Sequence, residues 1–159
     1  MSLLYLHQLC QVVHEKISAI AQRFICNILK CSDVASVLGG PTLKSFIAFV
    51  IGYTGFPHLV LVAALDLLLR LKLVRKTFTA KTGHSLFLAA FMIASEEWTG
   101  VVGTVLPIST WCEAAQMTFT EDKIVRAEKY LRHALKGKVG IPNEDVLHGL
   151  EAQIGRAHV

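Results

Sequence analysis

The chain has 159 residues, room for one domain with a sizeable core and too few for two. It is 53% hydrophobic and only 18% charged, with a mean hydropathy of +0.49, so a membrane reading is the first to test. The net charge is +4, but Lys and Arg are spread out with no run of five, which argues against a nucleic-acid partner.

The four cysteines, Cys10, Cys26, Cys31 and Cys112, form no C-x-x-C pair. A chain this apolar builds a core without disulfides, so reduced, buried thiols are expected. The opening MSLLYLHQLCQVVHEK lacks a basic leader region and carries His and Gln where a signal segment is apolar. A cytoplasmic or nuclear protein is the expectation.

Taken in order, nearly every segment reads as helix. Ser2 to Lys30 contains no Gly or Pro. Cys10, Val13, Ile17, Ile20 and Phe24 recur at three- and four-residue steps and make one apolar seam. The seam packs on its own domain or supports self-association through the N-terminal helix. SDVASVLGG is a short segment stopped at Gly39 and Gly40. Residues 1–38 thus form an N-terminal helical extension and residues 39–159 the main domain.

Phe46 to Leu65 carries no formal charge over twenty residues, the length of a membrane span. Its centre, GYTGFPH, breaks it into two helices. The second runs on past Asp66 and Arg70, spaced to pair on one face. A small helical membrane protein is an alternative that rests on composition alone, and membrane contact is not expected. Before the break, Pro41 and Thr42 suit the start of LKSFIAFVI; after it, Pro57 opens HLVLVAALDLLLRLKLV, apolar on nearly every side and so suited to the middle of a bundle.

The segment GHSLFLAAFMIASEEW, residues 83–98, is the next central helix, with Ala89, Ala90 and Ala94 on one side and Leu86, Phe87, Phe91 and Ile93 on the other. It emerges at Glu96, Glu97 and Trp98. TGVVGTVLPIS is an irregular connection, with Val101 to Ile108 a candidate extended stretch. Thr110 and Glu113 have capping-box spacing for a short helix to Met117. Thr120 caps a helix that ends near Lys136-Gly137, and Asn143 caps a last one expected to stop at Gly155. The fold class is all-α.

No catalytic constellation is present. The seven histidines are scattered and read as surface or helix-end residues, no H-E-x-x-H or zinc spacing occurs, and the glycine pairs read as turns. Glu96 and Glu97, neighbours on a helix, point about 100° apart and do not converge on a substrate. No catalytic residue, cofactor or metal is expected, and the chemistry anticipated is recognition of another protein.

Residues 84–98, HSLFLAAFMIASEEW, resemble the signature helix of the cyclin box, which reads like H-R-L-F-L-A-A-L-x-L-A-S-K-F. The preceding LVLVAALDLLLRLKLV is similar to that family's T-L-x-x-A-L-x-Y-L-x-R-L helix, with Arg70 at the arginine position. STWCEAA matches its tryptophan-containing short helix, TEDKIVRAEKYLRHAL its E-x-N-x-x-E-R-x-F-L-x-x-L helix, and VGIPNEDVL the lead into its last. The resemblance covers Pro41 to Gln153 and is nearest in wording to the single-box fungal cyclins of the phosphate-pathway group.

It implies a five-helix cyclin-box bundle with an N-terminal helical extension, acting as a non-catalytic regulatory subunit of a cyclin-dependent kinase. Such a subunit shifts a kinase between conformations by docking. The family's docking face places a lysine at position 96, a large apolar residue at 97, a glutamate at 128 and an apolar contact at 132. Here these are Glu96, Glu97, Glu128 and Arg132, and with Val139 they make up the implied partner-binding set. The reversed charge at 96 suits either a kinase with compensating basic residues or an adaptor that holds a different protein. The substrate-docking patch of cell-cycle cyclins is absent from LKSFIAFVI.

Overall fold

The computed structural model describes residues 2–34, 39–100 and 106–158, and for residues 5–13 the backbone alone. Seven helices make up the described fold: α1 (Leu3–Leu29), α2 (Leu43–Thr54), α3 (His58–Val74), α4 (His84–Thr99), α5 (Ile108–Ala114), α6 (Glu121–Ala134) and α7 (Glu144–His158). Among the described residues there is no strand beyond a single bridge between Ser32 and Thr82. No described helix is long and apolar enough to cross a membrane. The short segment expected after Ser32 and the stretch from Val101 fall partly outside the described residues.

The middle of the molecule is the pair α3 and α4. The run Leu59–Leu65 of α3 and the run Leu86–Ser95 of α4 are buried without interruption. A helix apolar on all sides is stable only when other helices surround it. Accordingly α4 packs on α3, α6 and α2, while α3 also meets α1 and α7. Phe46 of α2 links the layers, its ring 6.2 Å from Phe87 and 6.0 Å from Phe119.

α1 is one continuous helix, and it belongs to the same core. Ala21, Phe24, Ile25 and Leu29 are buried in it, and Ile17 and Ile20 pack against it. From Ile17 onward the apolar seam is turned toward α2, α3 and α7 of the same chain. Val13 and Cys10 have side chains outside the described residues.

Local chemistry sets most boundaries. Thr42 Oγ1 accepts from Ser45 N–H at 3.2 Å, Thr120 Oγ1 from Lys123 N–H at 3.2 Å, and Asn143 Oδ1 from Val146 N–H at 3.0 Å. Three boundaries differ from the sequence reading. α2 continues through Gly52 and stops at Gly55, which takes the left-handed φ of +69°. α5 starts at Ile108 behind Pro107, so Thr110 lies inside it, and the Glu113 carboxylate accepts from Tyr53 Oη of α2 instead of closing a capping box. α7 runs through Gly155 to His158, whose carbonyl accepts from Arg23 Nη1 of α1 at 2.8 Å.

His84 is a helix-end histidine, the first residue of α4, and it is buried rather than on the surface. Its Nε2 sits 2.9 Å from the Pro41 carbonyl and its ring 5.1 Å from that of Phe46. Burial pushes its pKa down, which favours a neutral ring donating Nε2–H to that carbonyl. Beside it, Gly83 lies close against side chains of α1 and α2. A Cβ there would lie 2.7 Å from Ile25 Cγ2 and 3.2 Å from Leu43 Cδ2. Ile25 Cγ2 is fixed to a β-branched carbon in a helix and yields little.

Gly83→Ala is expected to destabilise the fold by about 1–3 kcal/mol through overpacking. Gly149 stands inside α7 with nothing near its missing Cβ, so Gly149→Ala is expected to stabilise by about 0.5–1 kcal/mol. Urea unfolding of the two variants checks the opposite signs.

Candidate functional site

The apolar shaft of α4 ends at Ser95, whose Oγ donates to Met92 O at 2.7 Å. The next two residues are Glu96, partly buried, and Glu97, exposed. Gly100, with φ +62°, closes the helix by donating its N–H to Glu96 O at 3.2 Å. Both acids therefore occupy the last turn, at the negative end of the helix dipole, and that turn holds no basic residue. Such a placement is locally unfavourable.

The compensating charge arrives from α6. Arg132 Nη2 is ion-paired with the Glu96 carboxylate, and Arg132 Nε donates to Glu128 Oε1 at 3.2 Å. Glu128 and Arg132 are one helical turn apart, and Arg132 in the last turn of α6 is also well placed for that helix's own dipole. The side chains of Glu96, Glu128 and Arg132 retain 23%, 20% and 34% of their exposure, so the cluster is partly desolvated and counts for more than an ordinary surface pair.

One guanidinium thus serves two carboxylates, with Glu97 a third beside them. Partial burial, and next the charge of Glu128, raise the Glu96 carboxyl above the ordinary glutamate value of 4.5, against the opposing pull of Arg132. The surplus at this edge is negative. Among the described residues no three His, Cys, Asp or Glu side chains gather so as to hold a metal ion.

Of the five residues singled out from the sequence, Glu96, Glu128 and Arg132 come into direct contact and Glu97 flanks them. Val139 does not join them. It is 5% exposed and packs into the protein's own core. The reason is Arg70, whose guanidinium donates to Asp66 Oδ2 at 2.9 Å, to Lys138 O at 3.2 Å and to Gly140 O at 2.6 Å. This fork clamps the carbonyls on either side of Val139 to α3 and leaves its side chain facing inward.

The sequence reading missed a second pairing, His58 Nε2 of α3 with Glu151 Oε2 of α7 at 2.8 Å. It stands beside an apolar cleft of about 410 Å³ floored by Ile20, Leu61 and Ile154. No spacing announces two residues so far apart in the chain. Compared with known proteins, the chain matches no family model, no curated protein and no solved structure.

Because Glu96 has a raised pKa when folded, the native state holds its proton more tightly than the unfolded chain. Its contribution to stability is present below the ordinary glutamate value and is lost as pH rises through the raised one. Glu96→Gln is expected to gain stability relative to the parent as pH rises from mildly acidic to neutral, measured by urea unfolding at several pH values. A constant difference between the two proteins across that range would contradict it.

Proposed function

We propose that the chain is a non-catalytic regulatory subunit that docks on a cyclin-dependent protein kinase through the acidic end of α4 and the adjoining turn of α6. The observation that carries this reading is the joining of Glu96, Glu128 and Arg132 in one ion-paired cluster. The cyclin-box resemblance assigns all three positions to one docking face, and they come from two helices far apart in sequence. The order of the helices and their lengths suit the same reading.

The cluster also accounts for how the face departs from the cyclin pattern. The family carries a cation at position 96 and an apolar residue at 132, whereas here the acid stands at 96 and the cation at 132. The glutamate at 128 keeps a basic neighbour, but the charge nearest the end of α4 is reversed. The partner expected is therefore one with basic residues opposite Glu96 and Glu97. The same reversal favours a second reading, a cyclin-fold adaptor for a basic protein other than a kinase.

Binding to a panel of cyclin-dependent kinases tests the proposal, with Glu96→Lys and Glu97→Lys alongside the parent. Glu97 is exposed and ends a helix, so a lysine there leaves the fold at least as stable. The reading predicts that the parent binds, that Glu96→Lys weakens binding by about 30-fold or more, and that Glu97→Lys slows association and flattens its salt dependence. Binding gained only by Glu96→Lys would point to the adaptor, and no binding by any of the three would overturn the kinase reading.

A further inference from the structure

We propose that Cys26 and Cys31 form a paired-thiol modification site that closes to an intramolecular disulfide on meeting a small disulfide oxidant of the glutathione type. The pairing follows from the way α1 ends. Lys30 adopts φ +54°, the left-handed conformation that stops a helix. A left-handed residue in this place folds the residue after it back onto the side chain four positions before it. Those two residues are Cys31 and Cys26.

Their sulfurs lie 3.7 Å apart, with the Cys31 thiol donating to Cys26 Sγ. A disulfide spans about 2.05 Å, so closure needs a displacement of less than about 2 Å, within the reach of side-chain rotation and a slight shift at the helix end. Both cysteines are half-buried and reachable, unlike Cys112, which is buried. Expected from composition to be reduced and buried, these two thiols are free but only partly covered, and they lie side by side.

The chemistry balances as two thiol–disulfide exchanges. The Cys26 thiolate attacks one sulfur of the oxidant, the oxidant's S–S bond breaks, and one small thiol leaves carrying the proton that Cys26 gave up. The Cys31 thiol is pushed up to about 12, first by burial and then by the charge and hydrogen bond of Cys26. Once Cys26 is in the mixed disulfide that charge is gone, and Cys31 ionises more readily. It then attacks the Cys26 sulfur and expels the second small thiol. The two protein thiols lose two protons and two electrons, and the oxidant becomes two thiols.

Closure would pin the end of α1 to the segment that leads into α2 and touches the start of α4. Ser32, next to Cys31, donates its N–H to Lys81 O at 3.3 Å, and Ala80 donates its N–H to Leu29 O at 3.1 Å. The bond would fix that junction without opening the core.

The test is incubation of the folded protein with oxidised glutathione, followed by alkylation of remaining thiols, tryptic digestion and mass spectrometry. Cleavage after Arg23, Lys30 and Lys44 separates FICNILK from CSDVASVLGGPTLK. The expected product is these two peptides joined, two hydrogens lighter than their sum. Cys31→Ser should lose the joined pair and accumulate the glutathione adduct on Cys26. Parent protein that stays reduced at both positions, stops at a mixed disulfide, or links either cysteine to Cys10 or Cys112 instead would overturn the proposal.

Discussion

Everything in this molecule is arranged around a helix that cannot face water. Between Leu86 and Ser95, α4 presents no polar side to solvent, and each large apolar side chain it buries is worth about 1.5–3 kcal/mol. That requirement draws α2, α3 and α6 around it and makes α3 nearly as apolar. It also restricts where polarity is tolerated: at the start, where His84 gives its N–H to the Pro41 carbonyl, and at the exit, where Glu96 and Glu97 appear. The same crowding leaves no room for a side chain at Gly83.

The exit is a place where local rules are broken. Two carboxylates end a helix whose dipole opposes them, and among the described residues only Glu96 receives a guanidinium in return. Other helices follow those rules, α6 and α7 among them, which begin with acids and end with bases. Departures from local rules are where a functional constraint is to be sought. The raised pKa of Glu96 carries the same message: its carboxylate is held despite its surroundings, with Arg132 only partly offsetting burial and the nearby Glu128.

Much of the fold was legible because it depends on short-range chemistry. Thr42, Thr120 and Asn143 each place an acceptor over the first turn of a helix, and a residue type at a fixed offset is enough to see that. The all-α class followed from helical spacing and from the missing alternation of strands. What failed was the weighing of local breakers against distant contacts. Gly155 costs its helix about 1 kcal/mol, yet the last turn survives because Arg23 and Phe24 of α1 hold His158. Pro107, read as part of a connection, proved to be the start of α5. For the site, Glu96, Glu128 and Arg132 were each visible through their resemblance to cyclin-box positions, but their mutual pairing was not. The inward orientation of Val139 was not legible, because it goes with the Arg70 clamp, which binds backbone carbonyls and leaves no trace in side-chain pattern.

The central claim is that the end of α4 and the end of α6 are held as one electrostatic unit by Arg132. A double-mutant cycle with Glu96→Ala and Arg132→Ala, read by urea unfolding at neutral pH, tests it most directly. The account predicts that the two substitutions are coupled, the double variant departing from the sum of the single ones by about 0.5–3 kcal/mol. Additive effects would mean that the two side chains do not act together, and would contradict it.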